Sequence, residues 1–244
     1  MPGQMHVRCR AVGPQNERGV RPWQYLSVMR RIGLLASIAM LAACGNMLNP
    51  EGRTPTPEPS PLPSGVANLN NSGDETLAAG RYSRREFLPR VIFEIDDQWY
   101  GRQVYKGFFD IQQGDANDPD VIAVQFARPD AVYGADGSTT PDDAAEAVAI
   151  LESNPDLEVV ETSSSQMGGL DGSQITVENT GDAPAEIMDL PPGTIAVNPE
   201  RRLWMAFFDT DDGVLAIMVG GSAERWDETL AVAEPVLESV EIDQ

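Results

Sequence analysis

The chain has 244 residues, of which 17 are basic and 38 acidic, giving a formal net charge of −21 at neutral pH. Such a charge repels phosphate backbones and anionic lipid headgroups, which argues against nucleic acid and against a protein face lying on a membrane. It favours cations, basic proteins or uncharged ligands as partners, although solubility alone also explains it.

An apolar segment of twelve residues, 32–43, follows Arg30 and Arg31. A basic start, a short apolar run and small residues before a cleavage point are typical of a secretory signal. The run is shorter than the roughly 20 residues that a membrane-spanning helix needs. Met29 is a suitable start for this signal, so residues 1–28 are predicted to be an extension outside the native protein.

The apolar run ends in Leu41-Ala42-Ala43-Cys44, which resembles the lipobox of bacterial lipoproteins. The resemblance implies that residues 29–43 are a signal peptide cut between Ala43 and Cys44. It also implies a diacylglyceryl group on the Cys44 sulfur, and hence an exported chain whose lipid holds it to the outer face of the cell membrane. An ordinary signal peptide, a twin-arginine signal or a short buried helix with a chance cysteine are the alternatives.

The composition after the predicted cleavage excludes several chemistries. Residues 1–43 hold six of the basic and one of the acidic residues, which leaves 11 basic and 37 acidic residues, a formal balance of −26. The single histidine, His6, and the second cysteine, Cys9, precede Cys44. Triads with histidine, thiol nucleophiles, disulfides and zinc sites of histidine or cysteine are therefore excluded. We expect no enzyme activity and no cofactor.

Residues 44–76 are predicted to be a lipidated, disordered tether. They contain prolines at 50, 55, 57, 59, 61 and 63, a density that favours extended polyproline II and prevents a core. A proline-rich docking ligand is the alternative. The globular domain is predicted to span residues 77–244.

The first half of this domain contains strand patterns. Val91, Phe93 and Ile95 alternate on one face, and further strands are predicted at 104–112 and 121–127. A helix follows, with Thr140 as its N-cap, Pro141 at the first position, Asp143 completing a capping box and Asn154-Pro155 as the stop. Its buried face comprises Ala144, Val148 and Leu151.

The second half is predicted to contain strands at 157–162 and 173–178 around a turn at Gly168–Gly172, a loop at 179–193 and a short strand at 195–197. Residues 202–209 and 214–220 are apolar on both faces, which predicts a hairpin covered on both sides. A last helix is predicted from Ser222, kinked or restarted at Pro235. Its apolar face comprises Trp226, Leu230, Ala233, Leu237 and Val240.

These elements predict an α+β fold, a largely antiparallel sheet covered by two main helices. The stretches "FLPRVIFEIDDQW", "GGLDGSQITV" and "ERWDETLAVAEPVLESVEI" resemble the exported α/β/α sandwich domains of PsbP-like and LpqN-like lipoproteins over residues 77–242. The resemblance implies this fold and the anchoring. It implies no catalytic residue.

Acidic loops are candidate cation sites. Asp209, Asp211 and Asp212 place oxygen ligands at alternating positions, as Ca²⁺ prefers, but a solvated Asp-Gly turn explains them equally. The cluster Asp115, Asn117, Asp118 and Asp120 resembles them. A pair of carboxylates for glycoside hydrolysis cannot be chosen from the sequence.

Aromatic and glycine-rich segments offer two further candidates. Tyr100 and Tyr105 are predicted as exposed ligand contacts, whereas Trp99 and Trp226 are predicted in the core. The segment Gly168–Gly172 lacks the lysine and hydroxyl residue of a phosphate loop, so a tight turn is expected.

The sequence thus predicts a lipid-anchored envelope protein whose non-catalytic domain binds a partner protein or small ligand. A carboxylate- or cation-dependent enzyme and a purely structural envelope component are the alternatives.

Overall fold

The structure is a computed structural model that describes residues 60–73, 75–115, 118, 120–191 and 193–243. The predicted extension, signal peptide, Cys44 and most of the tether lie outside this part of the chain. The described residues form fifteen strands and two helices. In chain order these are β1 (Val66–Asn68), β2 (Gly80–Ser83), β3 (Arg90–Ile95), β4 (Tyr100–Tyr105), β5 (Phe108–Gln113), β6 (Ile122–Ala127), β7 (Ala131–Gly134), β8 (Gly137–Thr139), α1 (Ala144–Glu152), β9 (Glu158–Met167), β10 (Leu170–Glu178), β11 (Ala185–Leu190), β12 (Gly193–Val197), β13 (Arg201–Thr210), β14 (Gly213–Ser222), α2 (Trp226–Glu238) and β15 (Glu241–Asp243).

Three sheets organise the domain. A central antiparallel sheet of seven strands has the order β4-β5-β6-β14-β13-β10-β9. A four-stranded sheet, β1-β2-β3-β15, contains the parallel pair β1 and β2, while the other four-stranded sheet, β12-β11-β7-β8, is antiparallel throughout. Mostly antiparallel sheets with two helices agree with the predicted α+β class.

The central sheet is buried on both faces. In β13, Leu203, Met205 and Phe207 join one hydrophobic core, while Ala206 and Phe208 join the other. The first core also holds residues of α1, β7, β11 and β12, and the second holds residues of α2, β2 and β3. Each face is therefore covered by one helix and one small sheet. The predicted sandwich covered by two helices is too simple, because extended segments supply much of the cover.

The folded domain begins upstream of Leu77, which the sequence predicted as its first residue. β1 pairs with β2, and the side chain of Leu69 is fully buried in the core with α2. The Leu69 amide donates to the Ser83 carbonyl at 2.8 Å. This strand was not predicted because its three residues are too few to show a periodic pattern.

The predicted strand at 104–112 is two strands. Lys106 and Gly107 form a turn between β4 and β5, and Gly107 has a φ of 81° that glycine adopts without strain. The prediction missed the turn because apolar residues flank it on both sides. Val91, Phe93 and Ile95 of β3 are buried together in the core as predicted.

The first helix starts later than predicted. Asp143, not Thr140, is the N-cap of α1, and its carboxylate accepts from the Glu146 amide at 2.7 Å. The Thr140 hydroxyl instead donates to the Asp130 carbonyl at 2.9 Å. Asp143, three residues after Thr140, is also a good N-cap residue, and its side chain makes the capping hydrogen bond. The predicted buried face of Ala144, Val148 and Leu151 is confirmed.

The second half of the domain contains more strand than predicted. The turn between β9 and β10 is confined to Gly168 and Gly169, so Gly172 lies within β10. The predicted loop at 179–193 contains β11, whose Met188 is fully buried. Pro184 and Pro191 lie directly before and after β11, and because prolines are typical of loops, the sequence predicted a loop there.

The hairpin of β13 and β14 is confirmed, including its burial on both sides. The final helix begins at Trp226 rather than Ser222, because β14 extends through Ser222. It runs through Pro235 without restarting, and the predicted Trp226 and Ala233 contacts are in the core. Neither helix of the described part of the chain has the length and apolar character needed to cross a membrane.

Candidate functional site

Loops at one end of the central sheet surround a cleft of about 440 Å³. The loops come from the turns β4–β5 and β13–β14, the chain before β3, the connections β6–β7 and β11–β12, and the segment before α1. The lining residues are Glu86, Leu88, Lys106, Gly107, Arg128, Pro129, Asp130, Thr140, Pro141, Pro191, Asp212, Gly213 and Val214. We refer to this feature as the loop-end cleft.

Lys106 gives the loop-end cleft an available positive charge. It is the single lysine of the chain, and it lies exposed in the β4–β5 turn. Its ammonium makes no hydrogen bond or ion pair with another described residue. By contrast, the Arg128 guanidinium donates to the Asp212 carbonyl, which ties two walls of the cleft together. Lys106 is thus free to bind an anionic group.

The cleft also has an apolar wall. Leu88 is 51% exposed, one of four large hydrophobic side chains exposed in the described part of the chain. Pro129, Pro141 and Pro191 lie along the same cleft. An added Cβ at Gly107 would lie 3.4 Å from the Pro191 ring, so the turn holding Lys106 packs closely on this wall. An apolar group can therefore bind next to the Lys106 ammonium.

Three carboxylates border the cleft and restrict what it can hold. Glu86 is already paired with Arg84 at 2.8 Å, whereas Asp130 and Asp212 are the other two acidic residues that line the cleft. Carboxylate oxygens accept hydrogen bonds from amide or ammonium donors. The cleft therefore fits a ligand that combines an anionic group, an apolar group and hydrogen-bond donors.

The predicted calcium ligands are not assembled into a metal site. The Asp209 carboxylate accepts from the Ala144 amide at 2.8 Å, at the start of α1. Asp211 and Asp212 are exposed in the β13–β14 turn. Across the described residues, no group of three or more acidic, histidine or cysteine side chains is arranged to hold a metal ion. Asp209 acts instead as a link between the hairpin and the helix.

The other acidic cluster is a turn joined to α2. The Asp120 amide donates to the Asp118 carboxylate at 2.9 Å, and the Asp120 carboxylate pairs with Arg225 at 3.0 Å. Asp115 lies in the same turn, where its carbonyl accepts from the Asp118 amide. Asn117, the remaining predicted member, lies outside the described residues.

The predicted tyrosines lie on one face of β4 but do not line the loop-end cleft. Tyr105 is 44% exposed, next to Lys106. Tyr100 is half-buried, with the Arg102 guanidinium 4.5 Å from the centre of its ring. Trp99 and Trp226 are buried in the core, as predicted.

A buried acid lies on the next strand. Asp110 in β5 is fully buried, and its carboxylate accepts from the Gln103 amide at 2.5 Å and from the Gln112 side chain at 2.7 Å. Burial raises the pKa of Asp110 to about 7, while these hydrogen bonds and the nearby Arg102 charge oppose the rise. The carboxylate is inaccessible to a substrate, so its role is structural.

Several residues of this site were not predicted from the sequence. Lys106 stands out in the sequence as the single lysine of an acidic chain. Its position in a turn was missed because the sequence predicted one strand over residues 104–112. Leu88 and Arg128 carried no signal, because only the folded loops bring them together. Outside the cleft, Asp110 interrupts an apolar strand, which is a sign of a buried polar group.

No family model matches this chain, and no curated protein matches it. Among solved structures, it is similar to the cyanobacterial PsbP protein CyanoP of Synechocystis sp. PCC 6803, with 14% identity and a TM-score of 0.37 over 72% of this chain and 98% of that one. It is also similar to LpqN of Mycobacterium tuberculosis, which is involved in cell envelope biogenesis, with 10% identity and a TM-score of 0.35 over 68% and 86% of the two chains. A protein of Bacteroides thetaiotaomicron shares 13% identity and a TM-score of 0.28 over 63% of this chain and 45% of that one. Both groups that the sequence resembles are represented among these structures.

Proposed function

We propose that this protein is an exported, lipid-anchored binding protein. Its folded domain stands off the membrane on a proline-rich tether and binds a partner segment or small ligand in the loop-end cleft. The anchor rests on the lipobox-like residues ending at Cys44, and the tether on the prolines that follow. The observation that carries the binding role is the unpaired Lys106 ammonium beside the exposed Leu88.

The chemistry of the cleft defines the ligand. Lys106 binds a carboxylate, Leu88 and the proline wall pack on an aliphatic group, and the carboxylates of Asp130 and Asp212 accept from amide donors. A peptide segment with a free carboxylate and an aliphatic side chain presents all three groups. Lys106 and Arg128 are the cations of the cleft, and we take Lys106 as the selective one because its ammonium, unlike the Arg128 guanidinium, has no partner among the described residues.

A non-catalytic role agrees with the residues that are present. The chain from Cys44 onward has no histidine and no second thiol. The buried Asp110 carboxyl, whose pKa is strongly raised, is enclosed by Gln103 and Gln112 and cannot reach a ligand. Binding requires only the groups that line the cleft.

A pair of peptides tests the cleft. Acetyl-Leu-Gly-Leu with a free carboxylate should bind about tenfold more tightly than the same peptide with a terminal amide, because only the first forms a charge-assisted hydrogen bond with Lys106. Titrations followed by amide NMR should shift the signals of Leu88, Lys106 and Gly107. The Lys106→Gln variant should lose most of the preference for the free carboxylate.

Arg81→Gln is the matched control, because Arg81 pairs with Glu241 outside the cleft. This variant should retain the preference for the free carboxylate. Equal binding of the two peptides to the unaltered protein, or a preference that survives Lys106→Gln, would contradict the proposal.

A further inference from the structure

β9 is a long strand at an uncovered edge of the central sheet. It has ten residues and pairs with β10 on one side only. Its first seven residues are exposed, including Val159 at 37% and Val160 at 45%. In such a strand, every second residue turns its backbone N–H and C=O outward, where they are available to another strand.

The opposite edge of the same sheet is protected. The Ser72 amide donates to the Gly101 carbonyl of β4 at 2.8 Å, and the Leu77 amide donates to the Trp99 carbonyl at 2.7 Å. The Asn71 side chain donates to the Arg102 carbonyl at 2.8 Å. The chain thus covers β4 with its own N-terminal segment, and no described segment covers β9 in this way.

β9 is held in an ordered, strand-like conformation before any partner arrives. The Gln174 side chain donates to the Ser163 hydroxyl at 2.9 Å, and the Gln166 side chain donates to the Asp171 carboxylate at 3.0 Å. A register shift between Thr176 and Val177 confines the irregular pairing to the start of the strand. The remaining part, 161–166, is regular, so a partner strand would meet little ordering cost.

The part of the chain that contains β9 is strongly acidic. Residues 129–200, which include α1 and β7 to β12, contain 15 acidic residues and no basic residue. Glu158 and Glu161 lie exposed on β9 itself. Arg202 of β13, two strands inward, is already paired with Glu178. The edge is therefore complementary to a basic segment, whereas two copies of the acidic edge would repel each other.

We propose that β9 binds an extended basic segment of another protein by strand addition. The backbone of residues 161–166 pairs with that segment, and the carboxylates of Glu158 and Glu161 bind its lysine or arginine side chains. This mode combines backbone hydrogen bonds for affinity with charge for selection. The site is separate from the loop-end cleft.

Synthetic peptides test the proposal without knowledge of the natural partner. Acetyl-Lys-Val-Lys-Thr-Lys-Val-Lys-Thr-amide should bind the protein and protect amides within 161–166 from hydrogen exchange. The same peptide with every backbone nitrogen methylated keeps its charge but loses the N–H donors of both edges, and it should bind at least about tenfold more weakly. Equal binding of both peptides would show a purely electrostatic contact and overturn the proposal.

A second test of the proposal reverses acidic charges on the protein. Glu158→Lys with Glu161→Lys should weaken the unmethylated peptide about tenfold at low salt, since both contacts are reversed. The matched variant Glu75→Lys with Asp97→Lys changes the net charge equally on exposed residues next to β4, at the opposite edge of the sheet, and should have little effect. Equal weakening by both variants would overturn the proposal.

Two further outcomes are decisive. Lys106→Gln should leave this binding unchanged, so failure of the cleft proposal would not affect it. A concentration-dependent dimer of the protein alone, with the 161–166 amides protected, would show that a second copy occupies the edge and would overturn the proposal.

Discussion

At the scale of single residues, the burial of Asp110 links stability to pH. The pKa of its carboxyl rises from 3.8 to about 7 on folding, because burial disfavours the charged form. The folded state therefore keeps a proton that the unfolded chain releases between these values. The stabilisation is complete below about pH 4 and is lost as the pH rises through about 7, with an upper bound of about 4 kcal/mol.

Replacing Asp110 with Asn should remove this pH dependence. Urea unfolding measured from pH 5 to pH 8 should show the free energy of unfolding of the original protein falling over this range, on the order of a few kcal/mol, and that of Asp110→Asn nearly constant. Asp136→Asn, an exposed acid in the β7–β8 turn, is the control and should keep the slope. A slope that persists in Asp110→Asn would contradict this description of the carboxyl.

At the scale of elements, the start of α1 distinguishes the observed N-cap from the predicted one. Asp143→Ala removes the carboxylate that accepts from the Glu146 amide and should cost about 1 kcal/mol of unfolding free energy. Asp142→Ala, at the adjacent exposed residue, removes the same charge and should cost clearly less. Equal losses in thermal and urea unfolding would show that charge, not capping, governs this helix.

Gly172 tests the close packing of β10 on β13. An added Cβ would overlap the Phe207 carbonyl oxygen and contact the Phe208 ring at 2.7 Å. Gly172→Ala should therefore destabilise the protein by about 1–3 kcal/mol, since neither the backbone nor a buried ring can move away freely. A change below about 0.5 kcal/mol by urea unfolding would mean that these two strands are further apart than described.

At the scale of the whole molecule, the stability of the domain should depend on residues upstream of Leu77. Leu69→Ala should destabilise the protein by about 2–5 kcal/mol, because Leu69 is fully buried against the core that includes α2. Leu62→Ala, at a half-buried residue of the same N-terminal segment, should cost much less. If both variants lose a similarly small free energy of unfolding, the result would support Leu77 as the start of the domain.

The sequence predicted the parts of the fold that repeat a pattern. The β13–β14 hairpin, the apolar face of α1 and the core positions of β3 were all visible as periodic apolar residues. β1 was missed because its three residues are too few for a periodic pattern, and β11 was missed because it lies between prolines. The cap of α1 was misplaced because two capping patterns overlap within four residues.

The loop-end cleft could not be predicted from the sequence, because its residues come from six separate segments. Leu88 and Arg128 become neighbours of Lys106 only after three sheets have formed. The predicted acidic loop, in contrast, was a local pattern, and its Asp209 carboxylate is used to hold α1. Local patterns thus identified turns and caps, while the site depends on contacts between distant segments.

The measurement that tests the central claim most directly is the intact mass of the protein purified gently from its own membranes. A lipid-anchored binding protein should give a chain that begins at Cys44 and carries a diacylglyceryl group, and the same chain with Cys44→Ala should be absent from the membrane fraction. A stoichiometric additional mass under native conditions would give the ligand to test against Lys106→Gln. A chain that retains residues 1–43, or one cut elsewhere without lipid, would contradict the account.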